Sequence, residues 1–313
     1  MATTTSITTS YAGEAAGEYI SAALLSGSTI DNGGITVKPN IKFKEVIKTI
    51  STDDIVKDAS CDFDPTSTIT LDERIIQPEF QQVNLQLCKK DFQSDWEAAS
   101  MGFSAHDQLP PSFSDFLISH VAAKVAQRTE TSIWEGTTAT SGQFNGLTTL
   151  LDADAAHTGA RKIAGTTVDA ANVIAQLGSI VDVIPSTIYG SEDMNLYVSQ
   201  NIARAYVRAL GGFGSNGLGA AGKNAMGTQW WNNGSLTFDG VKIFVANGLA
   251  DNTAIAAEKS NLYFGTGLLS DQNEVKVIDM ADLDGSQNVR VVMRFTAGIQ
   301  HGIGDEVVLY ATS

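Results

Sequence analysis

The chain is poor in cysteine and has no long apolar run, and each shortage excludes a class of protein. Its two cysteines, Cys61 and Cys88, form no CxxC pair, so neither a zinc site nor a disulfide framework is expected. Two free thiols suit a reducing cytoplasm. No apolar stretch approaches the roughly 18 residues of a membrane span, and the N-terminal residues lack the basic and apolar stretches of a signal peptide. We therefore expect a cytoplasmic product without a membrane contact.

Positive charge is scarce as well. Lys and Arg number 20 against 35 Asp and Glu, which gives a formal net charge of −15. Phosphate contacts need clustered Lys and Arg, so this balance argues against a protein that grips nucleic acid. Charged residues make up 18% of the chain, below the roughly 25% of an average protein. A surface with so little charge is typical of one that other subunits cover.

A long amphipathic helix is the most informative pattern that is present. After Pro110-Pro111, apolar residues recur at helical spacing until Gly136. Ser112 or Ser114 can serve as the N-cap of this helix. Roughly 24 residues would span about 36 Å, which is long for an ordinary globular domain. Such a helix usually serves as a strut, and no catalytic motif lies near it, so the pattern favours a structural protein. The apolar positions are Phe113, Phe116, Leu117, Val121, Val125 and Ile133.

The chain before this helix divides into two arm-like segments. Residues 1–40 are rich in Ser, Thr, Gly and Ala, contain one helical patch at residues 14–25, and cannot form a core alone. Residues 41–90 show partial strand alternation, with a polar turn at residues 51–54, a restart at Ile55-Val56 and a break at Asp64-Pro65. Because an isolated hairpin is marginal in water, both segments should lie on a partner surface.

An α/β unit is predicted after the helix, over residues 166–270. Asp169 caps its first helix, Pro185 ends that helix, and Gly211-Gly212 ends a second helix. No internal repeat is visible. Predicted strands occupy residues 195–198, 236–238, 241–245 and 262–264 in this unit, and residues 274–278, 289–296 and 306–309 after it.

This order of parts resembles the major capsid proteins of tailed bacteriophages, the Hong Kong 97 fold family. The two most telling stretches are residues 84–92 (NLQLCKKDF), a strand entering a helix, and residues 294–310, predicted as a hairpin. The resemblance covers essentially the whole chain and rests on layout, since neither stretch is a chemical motif. It implies an α+β fold with an N-terminal arm (1–40), an E-loop hairpin arm (41–80), a P-domain with spine helix and long sheet (81–163 and 274–313) and an A-domain (164–273).

The same resemblance implies a structural function rather than catalysis. Copies of the chain would assemble in the host cytoplasm into hexamers and pentamers of an icosahedral phage head, and this virion shell would enclose double-stranded DNA without sequence-specific binding. Portal, scaffolding and decoration proteins are further implied partners, and no cofactor, metal or membrane is implied. The chain has no long helical pre-segment before the arm, so a separate scaffold, or none, is implied. Candidate inter-subunit contacts are Tyr11, Tyr19 and Ile20 in the N-terminal arm, Lys48, Asp53, Asp54, Glu73 and Arg74 in the hairpin arm, and Arg204 and Arg208 on an A-domain helix.

Two other functions stay open at this level. An encapsulin-type compartment shell has the same fold and differs in its cargo. A carbohydrate-binding or hydrolytic protein is the alternative from another class, because Trp230-Trp231 beside a polar turn resembles a sugar-stacking platform and acidic turns offer carboxylates. The same tryptophan pair also fits lobe core or an interface anchor.

Motifs for nucleotide binding fail on their context. Residues 217–223 match GxxxxGK, but Asn224 stands where a Ser or Thr would reach magnesium. Residues 212–217 match GxGxxG. Neither match follows a predicted strand, as phosphate-binding loops require, so we expect a surface loop of the α/β unit.

Candidate metal ligands and catalytic groups are equally isolated in the sequence. Asp279, Asp282 and Asp284 lack the spacing of a calcium-binding EF-hand loop and predict an ordinary acidic turn. His301 lies near Asp305 and Glu306 without a Ser or Cys nucleophile at a recognised elbow. The four histidines are expected to be solvated or hydrogen-bonded rather than ligands; they are His106, His120, His157 and His301.

Overall fold

The computed structural model describes residues 28–52, 55–59, 61, 68–88, 111–155, 157, 159–211, 236–267 and 275–312. The strands are β1 Thr36–Lys38, β2 Glu45–Thr52, β3 Ile69–Ile76, β4 Glu79–Cys88, β5 Lys162–Gly165, β6 Met194–Val198, β7 Thr237–Phe238, β8 Val241–Val245, β9 Ala254–Glu258, β10 Leu262–Thr266, β11 Lys276–Asp279, β12 Asn288–His301 and β13 Val308–Thr312. The α-helices are Ser28–Asp31, Pro111–Glu135, Leu147–Ala153, Val173–Val181, Gln200–Gly211 and Ala281–Asp284. No helix in these ranges is both long and apolar enough to cross a membrane.

Strand β12 is the centre of a five-stranded sheet. It pairs antiparallel with β4, from Asn288 opposite Cys88 to Ala297 opposite Glu79. On its other side lie β11 and then β10, both antiparallel to it, and β1 extends the sheet by parallel pairing with β10. Within the described ranges β4 pairs only with β12, so β4 is an edge strand of this sheet.

The long helix Pro111–Glu135 confirms the predicted strut and packs across this sheet. Leu117 and Val121 of the helix form a buried cluster with Val291 of β12 and with half-buried side chains of β4. On β4 the burial alternates residue by residue, as expected for a strand with one face on a helix and one in solvent.

The predicted cap of the long helix is wrong. The helix begins at Pro111, ahead of both Ser112 and Ser114, so neither serine is its N-cap.

A six-stranded sheet in the order β5-β13-β9-β6-β8-β7 forms the other half of the structure. Every residue of β6 is buried, as is nearly all of β9, which fits strands at the centre of a covered sheet. The helices Val173–Val181 and Gln200–Gly211 pack their apolar residues into the same core, among them Leu177, Ile180 and Ile202. This half contains both helices predicted for the α/β unit and strands β6, β7 and β8, together with β5 and β13, which lie outside residues 166–270.

Asp169 makes capping bonds in the turn ahead of the first helix of this unit, whose regular part follows Asn172. Its Oδ1 accepts hydrogen bonds from the amides of Ala171 (2.8 Å) and Asn172 (3.0 Å), and Asn172 Oδ1 accepts one from the Asp169 amide (2.8 Å). These reciprocal bonds have the form of a capping box. The regular helix follows from Val173 to Val181, and turns lead from there to Pro185.

The predicted hairpin over residues 294–310 is wrong. Its two strands lie in different sheets, because β12 pairs with β4, β10 and β11 while β13 pairs with β5 and β9. The side chain of Asn261 accepts hydrogen bonds from the amides of Gly302 and Ile303, and the 3₁₀ turn Gly304–Glu306 follows. These contacts fix the segment that connects the two sheets. The C-terminal strand therefore joins the sheet of the α/β unit.

Three further expectations are corrected. Residues 262–264 form a strand of the five-stranded sheet rather than of the α/β unit, and Ile55-Val56 lie outside any strand. Residues 28–38 belong to the body rather than to an N-terminal arm, since Thr29 and Ile35 are buried and β1 pairs with β10.

A single core joins the two sheets. Trp134 at the end of the long helix packs on Tyr197 of β6, with ring centroids 5.1 Å apart, and both side chains are fully buried. Phe264 of β10 and Leu309 of β13 lie in the same cluster. The long helix therefore ends inside the protein and fixes the five-stranded sheet to the α/β unit.

Candidate functional site

Strands β2 and β3 form a hairpin whose two faces differ in polarity. They pair with each other and, within the described residues, with no other strand. Directly opposed residues of antiparallel strands share a face, and Lys48 lies opposite Glu73. One face therefore carries Val46, Ile50, Ile69, Leu71 and Ile75 together with Lys48, Glu73 and Thr52, and the other carries Glu45, Thr49, Ser51, Thr70, Asp72 and Arg74 with Ile47 and Ile76 at the base.

The apolar hairpin face, defined as Val46, Ile50, Ile69, Leu71 and Ile75, is open to solvent. Ile50 is 66% exposed, Ile69 62% and Leu71 73%. Contiguous apolar surface on an unpaired ribbon of strands marks an interaction site or an aggregation hazard. Apolar side chains on a strand are normally buried, so the exposure of this face needs an explanation.

The base of the hairpin is fixed to the body by apolar and polar contacts. Ile47 and Ile76 are buried in one cluster with Ile41. Gln300 of β12 donates a hydrogen bond from Nε2 to the carbonyl of Ile75, at 3.1 Å. The hairpin thus projects from an anchored base.

Arg74 takes part in a charged contact beneath the hairpin. Its Nη2 lies 2.6 Å from Asp154 Oδ2, and His301 Nε2 lies 2.9 Å from the same oxygen. Burial lowers the pKa of His301, against the opposing effect of the hydrogen bond to Asp154. A neutral His301 donating from Nε2 fits this arrangement, since its buried Nδ1 has no hydrogen-bond partner within the described residues. Asp154 therefore joins the hairpin to β12.

A second buried carboxylate ties residues 28–31 to the long helix. Glu130, which is 1% exposed, accepts hydrogen bonds from the amide of Thr29 at 3.1 Å and from its hydroxyl at 2.5 Å. Trp134 Nε1 donates to Thr29 Oγ1 at 2.9 Å. Burial raises the pKa of Glu130, and the bonds from Thr29, Trp134 and the Gly248 backbone act in the opposite direction.

The structure places the predicted contact residues in three situations. Lys48 and Glu73 are exposed and opposite each other on the hairpin. Arg204 and Arg208 are exposed one turn apart on the Gln200–Gly211 helix, and Arg204 bonds Gln200 within that helix. Arg74 is already paired with Asp154 inside the chain. Five candidates lie outside the described residues: Tyr11, Tyr19, Ile20, Asp53 and Asp54.

The other sequence candidates are explained by local structure or lie beyond the described ranges. Asp279 and Asp284 bond the amides of Ala281 and Ser286, as residues of a polar turn do. Hydrogen bonds from Ser286 lower the pKa of Asp284. Across the described ranges no group of three or more His, Cys, Asp or Glu is placed to hold a metal ion. His106, the glycine-rich motifs of residues 212–223, and Trp230-Trp231 lie outside these ranges.

Two carboxylates that organise the site escape prediction from the sequence. Asp154 meets His301 across 147 positions, and Glu130 meets Thr29 across 101 positions. Neither belongs to a motif. Glu130 lies about 180° around the long helix from Val121, so the apolar spacing of that helix gives no sign of its burial.

Comparison with known proteins shows which solved structures share this architecture. No family model and no curated protein sequence matches the chain. The structure is similar to the capsid of a native GTA particle (14% identity, TM-score 0.60, covering 95% of this chain and 94% of that chain) and to the capsid of Myoviridae phage XM1 (14%, 0.59, 94% and 95%). It is also similar to a structure from Mycobacterium phage Bobi (13%, 0.57, 98% and 96%). The chain therefore has the Hong Kong 97-type α+β fold of phage capsid proteins.

Proposed function

We propose that this protein is the major shell subunit of a phage head. Copies of it assemble into hexamers and pentamers of an icosahedral capsid, and the assembled chain is part of the virion. The fold supports this proposal, and the exposed apolar hairpin face carries it, because that face needs a partner of matching shape in every subunit.

The energetics of the hairpin face favour repeated, individually weak contacts. Apolar burial contributes about 25 cal/mol per Å², so covering a few hundred Å² contributes several kcal/mol before the cost of association. Closed symmetry repeats each such contact around the shell. The shell is then stable as a whole, while a single wrong contact can still dissociate.

The part names of the fold family extend to this chain as proposals. The hairpin over residues 41–80 is the E-loop arm, residues 81–163 and 274–313 are the P-domain, and residues 164–273 are the A-domain, with β13 crossing into the A-domain sheet. Lys48 and Glu73 contact a neighbour through the hairpin, and Arg204 and Arg208 face a neighbouring A-domain.

A structural role also fits the chain's polar groups and charge. The buried His301 and Glu130 bond to distant parts of the chain and so hold it together. A net charge of −15 repels phosphates, so the shell encloses double-stranded DNA without binding its sequence. Portal, scaffolding and decoration proteins are the further partners of this proposal.

Negative-stain electron microscopy of the purified, expressed chain tests the proposal. We expect closed particles of uniform diameter, or separate rings of five and six subunits. A monomer that stays monodisperse at all concentrations in sedimentation velocity, with no particles in the images, would contradict it. Bound glycan on such a monomer would favour the carbohydrate-binding alternative.

A further inference from the structure

A groove runs between the edge strand β4 and the long helix. Its volume is about 440 Å³, which holds a few large side chains and not a whole helix. Its floor is apolar, and its helix side extends from His120 to Ser132, about 18 Å at 1.5 Å per residue. The floor residues are Val83, Leu85, Val121, Val125, Phe144 and Phe295.

The charged side chains that line the groove, among the described residues, have one sign. Lys124 and Arg128 line it together with His120, and no Asp or Glu of the described ranges does so. This is unusual in a chain with 35 acidic residues against 20 basic ones. An occupant should therefore have one apolar face, no basic residues and some negative charge.

Residues 14–25 of this chain have these properties. As a helix, the 12 residues would also be about 18 Å long, with Tyr19, Ile20 and Leu24 on one side and Glu14 and Glu18 on the other. Residues 1–27 contain these two glutamates and no Lys, Arg or His. Length, amphipathicity and charge all match the groove.

The geometry points to a segment from another copy. Thr29 is fixed to Glu130, and Glu130 lies about 180° around the helix from the groove residue Val121, at about 100° per residue. Four residues from Leu25 to Thr29 reach about 14 Å at most. Passing half-way around a helix about 10 Å wide takes at least about 16 Å, so Leu25 of the same chain cannot reach the groove floor beside Val121.

We propose that the groove between β4 and the long helix receives residues 14–25 of a neighbouring copy of this chain. This inference rests on the proposed function, because a neighbour is in place only in the assembled shell. It names the surface that the predicted contact residues Tyr19 and Ile20 meet. The apolar side of the segment enters the groove, and its two glutamates stay at the basic rim.

Disulfide cross-linking in assembled particles tests the inference. In a chain with Cys61→Ser and Cys88→Ser, we compare Ile20→Cys plus Thr129→Cys with the matched control Ala22→Cys plus Thr129→Cys. At about 100° per residue, Ala22 lies about 160° around the segment from Ile20. Mild oxidation should give a ladder of covalent dimers and larger oligomers, several-fold stronger for the Ile20 pair. An intrachain product, equal ladders, or no ladder would each overturn the inference.

A second measurement keeps the native cysteines. Ile20→Asp should lower the yield of particles several-fold, whereas Ala22→Asp should leave it near that of the unaltered chain. Equal yields for the two variants would overturn the inference. If the unaltered chain forms no particles, the proposed function itself fails, whereas particles without the Ile20 ladder overturn only the inference about the groove.

Discussion

Arg74 and Asp154 form an ion pair with a 2.6 Å Nη2–Oδ2 distance across 80 positions of the chain. Arg74 stands on the polar face of the hairpin, and Asp154 follows the Leu147–Ala153 helix, where it also bonds His301 of β12. Together with the buried Ile47 and Ile76, the pair fixes the hairpin where it leaves the body, so one partly buried carboxylate contributes to the direction of the apolar hairpin face.

Asp154→Asn should destabilise the subunit by about 2 kcal/mol, because Arg74 and His301 lose the charge that both contact. Urea unfolding followed by circular dichroism measures this change. The matched control is Asp152→Asn, which removes a carboxylate paired with Lys162 where both side chains are about half exposed. That control should change stability by less than about 0.5 kcal/mol, and equal losses for the two variants would contradict the role of Asp154.

Glu130→Gln should destabilise the subunit by about 1–3 kcal/mol. Glu130 accepts hydrogen bonds from both the amide and the hydroxyl of Thr29 with its two oxygens, and glutamine keeps only one acceptor oxygen. The same unfolding measurement checks it.

Glu135→Gln is the matched control for that change. Burial also raises the pKa of Glu135, but its Oε1 accepts only the Ala250 amide among the bonds described, and glutamine retains that acceptor. We expect a near-neutral effect. A near-neutral Glu130→Gln would show that residues 28–31 are not held by this carboxylate.

Acid should weaken the subunit through His301. Its pKa is lowered in the folded state, so below the unfolded pKa of about 6.5 the unfolded chain binds more protons than the folded chain. The stabilisation is complete above about pH 6.5 and is lost as the pH falls towards the folded pKa. The pKa of His157 is lowered in the same direction, also by burial.

The variant His301→Gln isolates this effect from the other groups. Glu130 has a raised pKa and acts in the opposite direction, losing stability as the pH rises from about 4.5. Unfolding free energy measured from pH 7.5 to 5.5 should fall less steeply for His301→Gln than for the unaltered chain. Identical slopes would contradict the prediction.

Leu71→Asp should block particle formation while the subunit stays folded, because Leu71 is 73% exposed on the apolar hairpin face. Thr70→Asp, at the adjacent exposed position on the other face, is the matched control and should still form particles. Particle yield and far-ultraviolet circular dichroism are the two readouts. Equal particle yields for the two variants would show that the apolar hairpin face is not needed for assembly.

The sequence is most informative where the spacing of apolar residues within one segment indicates its secondary structure. Apolar spacing from Leu117 to Ile133 identifies the long helix, because this period follows from one covered face. Partial alternation indicates β2 and β3 as well, but their apolar face is open to solvent in the subunit. Two elements that are not predicted from the sequence, β9 and the Leu147–Ala153 helix, have weaker patterns. Strand β9 reads Ala-Ile-Ala-Ala-Glu, and alanine has little strand preference, so its central position is invisible locally. The Leu147–Ala153 helix follows Gly146 without a side-chain cap.

Pairing between distant segments is the part that the sequence does not contain. The apolar residues of β12 and β13 are equally compatible with a hairpin and with two separate sheets. Contacts with distant residues, such as those of Asn261 with Gly302 and Ile303, decide between them. The site shows the same limit. The sequence predicts Glu73 and Lys48 as exposed charges of the hairpin. It does not predict the contact of Arg74 with Asp154, because Asp154 lies in a loop far along the chain.

Electron microscopy of a hairpin-shortened chain tests the central claim most directly. Residues 48–71 are replaced by a short Gly-Ser link, which removes most of the apolar hairpin face and leaves the buried Ile47 and Ile76 in place. We expect the unaltered chain to form closed shells, and the shortened chain to give a native circular dichroism spectrum with no shells. Intact shells from the shortened chain, or no shells from the unaltered chain, would contradict the account.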